Sequence, residues 1–346
     1  MNEKISKNIT IISFIMTCII ICYHASYLGD PVINIDASLD LIVNDVLGDL
    51  SFVAMNFFFF TTGFMLFRNL SFSSYIHKIT KRISTLLVPY LIWQILFFLL
   101  KFAVLRQSAT DINFFNTVFL FEQWPPNGPL WYLYIAFLLA ILSPVILLIY
   151  KNIRLAQLFL IIVMLFSNYS LASETLSNGS LSNTIIPNII NYLPGYIIGT
   201  YFGYYHSNNM RLKDLSSITM MLILAMIFND DGNIANIALE GILKKTTLAV
   251  IPMLLVYTLP ESNYFKIITN IKFTFLMYVL HPAIIALVEK PVYYIIFKHT
   301  HWYSIANICT IVVSLSLTAT VSGLLYYLLK KHMPKILYIL TGGRCK

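Results

Sequence analysis

Long apolar runs separated by short polar segments organise almost the whole chain. Ten can be drawn, at 8–28, 47–67, 84–105, 129–150, 154–170, 187–205, 214–229, 245–260, 271–289 and 303–329. A hydrocarbon core of about 30 Å requires roughly 17–25 such residues of a spanning helix. Each run therefore predicts a transmembrane helix. Pro89, Pro144, Pro194, Pro252 and Pro282 fall inside or near the runs, which membrane helices tolerate when neighbours satisfy the freed carbonyls. The expected fold is all-α, a polytopic membrane helix bundle of about ten transmembrane helices. No polar block is long enough to fold by itself and no internal repeat is visible, so residues 1–346 are expected to form a single membrane-embedded domain.

Composition agrees with the pattern. The chain is 58% hydrophobic and only 11% charged, where a soluble chain of this length carries roughly 25% charged residues. A net charge of +8 could suggest nucleic acid, yet no basic cluster with interleaved aromatics is present. Positive charge held on one side of a membrane is the better account. With the amino terminus inside, most of the 23 Lys and Arg fall on the cytoplasmic side: Lys4 and Lys7, then Arg68, Lys78, Lys81 and Arg82, then Lys151 and Arg154. Arg211, Lys213, Lys266 and Lys272 follow, and the carboxyl end adds more. Of the 15 acidic residues only Glu3, Asp214 and Glu261 fall on that side. A multi-pass protein of the plasma membrane with both termini cytoplasmic is expected.

Cys18, Cys22, Cys309 and Cys345 show neither metal-ligand spacing nor a disulfide framework, so no metal is expected. Cys18 and Cys22, one helical turn apart in an apolar run, read as small core residues. The first run follows Lys4 and Lys7 as a signal peptide would, but it is long, lacks a small-residue cleavage site and is expected to be retained as a span.

Titratable groups inside a bilayer are costly and are therefore candidates for function. His24 lies in the outer part of the first run, with Thr17 and Ser13 on the same helical face. It reads either as an interfacial anchor beside Tyr23 and Tyr27 or as a general base working near neutral pH. His281 lies near the middle of the ninth run and precedes Pro282, which removes the hydrogen bond to the Tyr278 carbonyl and predicts a kink. It reads either as a structural histidine bonded to that broken turn or as a catalytic one. Lys81 and Arg82 enter the third run directly, before Leu87-Val88-Pro89-Tyr90. They are ordinary positive-inside charge, or they face the bundle and receive an anionic group such as a phosphate. Asn127-Gly128-Pro129-Leu130-Trp131-Tyr132-Leu133 closes an external loop, and an aromatic belt accounts for its Trp131 and Tyr132.

Taken in order, these segments resemble acyltransferase family three, integral membrane proteins that acylate sugars of surface polysaccharides. The resemblance runs from Ile19-Ile20-Ile21-Cys22-Tyr23-His24 through Phe57-Phe58-Phe59-Phe60-Thr61-Thr62-Gly63-Phe64, Lys81-Arg82 and Gly128-Pro129-Leu130-Trp131-Tyr132-Leu133. It continues through Leu193-Pro194-Gly195-Tyr196-Ile197-Ile198-Gly199 to Tyr278-Val279-Leu280-His281-Pro282. It implies a cytoplasmic acyl-CoA donor, usually acetyl-CoA, and as acceptor a sugar hydroxyl on a polymeric or lipid-linked glycan, with acylation completed at the outer face. It implies that His24 is the essential histidine, as base on the acceptor or as relay of the acyl group. It also implies that Lys81 and Arg82 meet the donor's phosphates, and that Trp131, Tyr278 and His281 contribute to substrate binding.

The chain departs from the family in two places. Thr85 stands about where a second basic residue often follows the Lys-Arg pair. The arginine that the family usually carries ten or eleven residues before the first-span histidine is replaced by Phe14 and Ser13. The nearest cation on that helix, Lys7, stands roughly 26 Å from His24 along an ideal helix. The loss implies a cation supplied from elsewhere. The leading reading is a membrane O-acyltransferase; the rival is a divergent relative that exports a glycan or small solute without acyl transfer, and a structural partner of a polysaccharide assembly machine ranks third.

Overall fold

The computed structural model describes residues 3–26, 38–105, 114–120, 125–176, 186–206, 248–260 and 265–344. Among the described residues all regular structure is helical, with no strand. A helix satisfies its own backbone groups, which is what a segment surrounded by lipid must do. In chain order the helices are α1 (Glu3–Ala25), α2 (Ser38–Phe67), α3 (Phe72–Arg82), α4 (Val88–Leu105), α5 (Trp131–Ile141) and α6 (Ser143–Ile149). Then come α7 (Ile153–Leu176) and α8 (Ile186–Tyr205), and α9 (Leu248–Thr258). The last four are α10 (Lys266–Thr269), α11 (Thr274–Thr300), α12 (Tyr303–His332) and α13 (Pro334–Thr341).

Five stretches among the described residues are long and apolar enough to cross a membrane: Glu3–Ala25, Asp45–Phe67, Phe72–Lys101, Thr274–Thr300 and Ser304–His332. A sixth is broken, with Gly128–Ile141 and Ser143–Ile149 meeting at 51°. The protein is thus an all-α membrane helix bundle. The run at 154–170 lies within α7, that at 187–205 within α8, and that at 245–260 overlaps α9, whereas 214–229 falls outside the described residues. Pro144 in the first turn of α6 explains the break, because its ring cannot continue α5. The run at 84–105 begins earlier than its hydropathy indicates. α3 leads through a π-turn, Ile83–Leu87, directly into α4, and Pro89 leaves the Thr85 carbonyl without its usual i+4 donor.

Glycine sets the tightest packing. Gly195, Gly199 and Gly203 recur every four residues on one face of α8, and a Cβ on any of them would collide with α2. At Gly199 it would sit 2.1 Å from the Phe60 carbonyl oxygen, and at Gly203 2.4 Å from that of Phe64. Lipid gives helices no hydrophobic reason to associate, so close backbone approach through small residues supplies the dispersion contacts instead. α12 turns its Ser314, Thr318 and Ser322 inward, each fully buried, on the same four-residue spacing. Its Val312, Leu324 and Leu328 are exposed, as a lipid-facing surface requires.

Polar side chains pin the ends of helices. Lys78 donates from Nζ to the carbonyls of Leu66 at 2.8 Å and Arg68 at 2.5 Å, closing the carboxyl end of α2. Asn8 donates from Nδ2 to Val256 O at 3.0 Å and to Leu259 O at 3.2 Å, fixing the start of α1 to the end of α9.

Candidate functional site

Two cavities lie in line along α1. The larger, about 460 Å³, is bounded on the α1 side by Thr10, Ser13 and Thr17 and on the α2 side by Thr61 and Thr62. The smaller, about 150 Å³, is bounded by His24 near the other end of α1, with Ser51, Trp131 and Tyr192. The polar stripe of the first span is therefore divided between them. Ser13 bonds back to Ile9 O at 2.6 Å and Thr17 to Ser13 O at 2.8 Å, so the helix itself satisfies these hydroxyl donors.

Tyr278 lines both cavities. It is buried on α11, its hydroxyl donates to the Pro129 carbonyl, and its ring lies 6.0 Å from that of Phe58. Around the larger cavity, Tyr132 shares a 2.5 Å hydrogen bond with Thr62 and reaches Phe58 O at 3.0 Å. Arg82 donates to Thr62 O at 3.3 Å. Three cations line this cavity, Arg82, Lys272 and Arg344, and no carboxylate does among the described residues. Thr10 near the start of α1 and Arg344 beyond α13 line the same cavity.

The histidines meet at the other cavity. His24 occupies the last turn of α1, and its ring lies 5.2 Å from that of the fully buried His281. α11 runs through Pro282 as one helix. The carbonyl that Pro282 leaves without a backbone donor, Tyr278 O, is met by His281 Nδ1 at 2.7 Å. A carbonyl only accepts, so Nδ1 carries the proton, and Nε2, buried without a hydrogen-bond partner, keeps its lone pair. His281 is thus bonded to the broken turn and also placed against His24.

The Gly128-Pro129 turn that supplies Pro129 is fixed from two sides. Fully buried Gln94 accepts from Asn127 N at 2.9 Å and donates to Asn127 O at 3.0 Å, and Asn127 Nδ2 reaches Val279 O at 3.0 Å. Gln94→Leu is expected to strand both backbone groups of Asn127. The loss should be about 3 kcal/mol, read as a lowered unfolding midpoint of the purified protein in detergent.

The sequence candidates are thus distributed unequally. His24, Trp131 and Tyr278 border the smaller cavity, with His281 behind His24, while Arg82 enters the larger one with Tyr278. Lys81 is exposed and does not line either cavity. Successive residues of a helix point about 100° apart, so one helix face cannot deliver both members of the pair. Trp131 is a wall residue, packed 5.8 Å from Phe59 and 5.5 Å from Tyr192, rather than an element of an interfacial belt. Sequence reasoning passed over Lys272, Arg344, Tyr192 and Gln94 as site residues. The Gly342-Gly343 pair ahead of Arg344 was the available signal, since such a pair marks a tight turn.

Comparison with known protein families matches residues 8–327 to the acyltransferase domain of acyltransferase family three, nearly the whole chain. No curated protein and no solved structure matches it. The match takes in the smaller cavity, all of the larger one except Arg344, and the helix segments that carry the two histidines, which favours acyl transfer over an export function. The chain belongs to acyltransferase family three and is a membrane acyltransferase.

Proposed function

We propose that this enzyme moves an acyl group, most simply acetyl, from cytoplasmic acyl-CoA to a sugar hydroxyl of a cell-surface polysaccharide or of its lipid-linked precursor. The observation that carries this reading is the pair of cavities sharing Tyr278, one lined by cations and the other by His24. Coenzyme A is an anionic head on a long neutral arm that ends in the thioester. A cationic cavity suits the head, and an arm extended past Tyr278 would bring the thioester towards His24. The plasma membrane is the expected location, and the positive-inside rule puts both termini in the cytoplasm.

The reaction follows from the groups at the smaller cavity. The acceptor hydroxyl oxygen forms a bond to the acyl carbon as His24 takes its proton. The carbon–sulfur bond then breaks, and the proton passes to the departing thiolate, leaving the sugar ester and free coenzyme A. His281 positions the His24 ring, and its own orientation is held by the Tyr278 carbonyl. Tyr192 and Trp131 offer flat apolar faces on which a sugar ring can stack.

The test is the acyl content of surface glycan in a strain lacking this gene, with and without the wild-type protein. Acyl groups should be lost from the glycan and return on complementation. A glycan that keeps all its acyl groups without the protein, or that stays inside the cell fully acylated, would overturn the reading.

A further inference from the structure

We infer that the carboxyl-terminal segment is part of the binding site, and that Arg344 joins Arg82 and Lys272 in a cluster that holds phosphate groups. Naming coenzyme A as the bearer of those phosphates rests on the function proposed above. The cluster itself stands on geometry alone.

The first helix presents Ile9 and the hydroxyls of Thr10, Ser13 and Thr17 to the larger cavity, and no cation. Phe14 turns the other way, packing with Ile21, Ala25, Met277 and Ile285. Positive charge must reach the cavity from other elements, and the tail of the chain is built to deliver it. α13 is docked rather than free. Leu337 and Thr341 are buried, and Trp93 Nε1 donates to Leu340 O at 2.9 Å. The chain then reverses through Gly342 at φ +58° and Gly343 at φ +74°, with Gly343 N bonded to Tyr338 O at 2.8 Å. Two successive left-handed residues favour glycine. At Gly342 a side chain is excluded for a second reason, since a Cβ would stand 2.6 Å from Thr85 O, the carbonyl that Pro89 leaves without a helical donor.

The turn aims Arg344 back at the bundle. Its Nη1 donates to Thr341 O at 3.0 Å, and its guanidinium lies over the Phe275 ring at 4.6 Å, a cation–π distance. A terminal arginine that merely marked the cytoplasmic side would need neither the turn nor the ring. Arg82, Lys272 and Arg344 come from three separate parts of the chain and converge on one cavity without a carboxylate among the described residues. Planar guanidinium forks match phosphate oxygens in pairs, and the lysine adds a point charge. A 3′-phosphoadenosine head with its 5′-pyrophosphate is the kind of polyanion this cluster suits.

The experiment is calorimetric titration of the purified full-length protein in detergent with coenzyme A, with pantetheine (which lacks phosphates) and with inorganic pyrophosphate. Thermal unfolding of each variant is recorded alongside. Arg344→Ala should weaken coenzyme A about tenfold or more, reduce the salt dependence of its binding and leave pantetheine unchanged. Arg344→Lys should recover part of the loss. Coenzyme A binding equally tight in wild type and Arg344→Ala overturns this inference while the donor reading stands. Wild-type protein that binds pyrophosphate through Arg344 but ignores coenzyme A overturns the donor reading and keeps the phosphate cluster. Binding of neither overturns both.

Discussion

His24→Ala should abolish measurable acyl transfer while leaving the amount and thermal stability of the protein close to wild type. A positioned general base contributes roughly 10²–10⁴-fold, and alanine offers no replacement. His24 stands in the last turn of α1 with an exposed side chain, so its removal opens no core cavity. The assay is acyl incorporation into glycan by membranes supplied with acetyl-CoA, together with glycan acyl content in complemented cells. Full transfer by His24→Ala would remove His24 from the chemistry even though the family assignment stands. His281→Ala separates the two histidines. It strands the buried Tyr278 carbonyl and should cost about 1–3 kcal/mol of stability, so its loss of activity should come with a lowered unfolding midpoint.

Gly199→Val should have the largest effect on folding. The smallest side chain already places a carbon 2.1 Å from Phe60 O and 2.8 Å from the Phe60 carbonyl carbon and Cα. Those are backbone atoms of a neighbouring helix, so no rotamer change relieves the overlap and α2 and α8 must move apart. Overpacking typically costs about 1–3 kcal/mol, and a backbone collision lies at or beyond the top of that range. Because α2 also carries Phe58, Thr61 and Thr62 to the larger cavity, separation of the pair should lower activity as well as yield. Gly48→Ala is the control. Nothing lies within 4 Å of a Cβ there, so the helix should gain up to about 1 kcal/mol or stay unchanged. Unfolding midpoints in detergent decide the matter, and a Gly199→Val protein as stable as wild type would refute the packing of α8 on α2 through this glycine face.

Much of the candidate site was legible one residue at a time. His24 and His281 stood out because titratable groups are expensive in apolar runs. Pro282 announced a carbonyl without a donor, and His281 takes it within one turn of its own helix, a purely local consequence. Arg82 was legible as a charge at the start of a span. Its partition from Lys81 was not, because hydropathy says that a helix crosses the membrane but not which way it is rotated. Rotation is set by neighbouring helices, and here by Thr62 and the cavity wall.

The sequence by itself determined the class of structure. Lipid requires long, self-satisfied apolar segments, and that demand is written along the chain from α1 to α12 whatever the helices later touch. Tertiary structure decided which faces meet. Only packing brings the His24 and His281 rings together, sets Gly195, Gly199 and Gly203 against the α2 backbone, and returns Arg344 to a cavity whose first-helix wall offers hydroxyls. The physical reason is that the stripes of small or polar residues on these apolar helices mark a face that packs but not the partner it packs against. Their contacts are chosen by backbone fit and by a few polar atoms, and those act between residues distant in the chain.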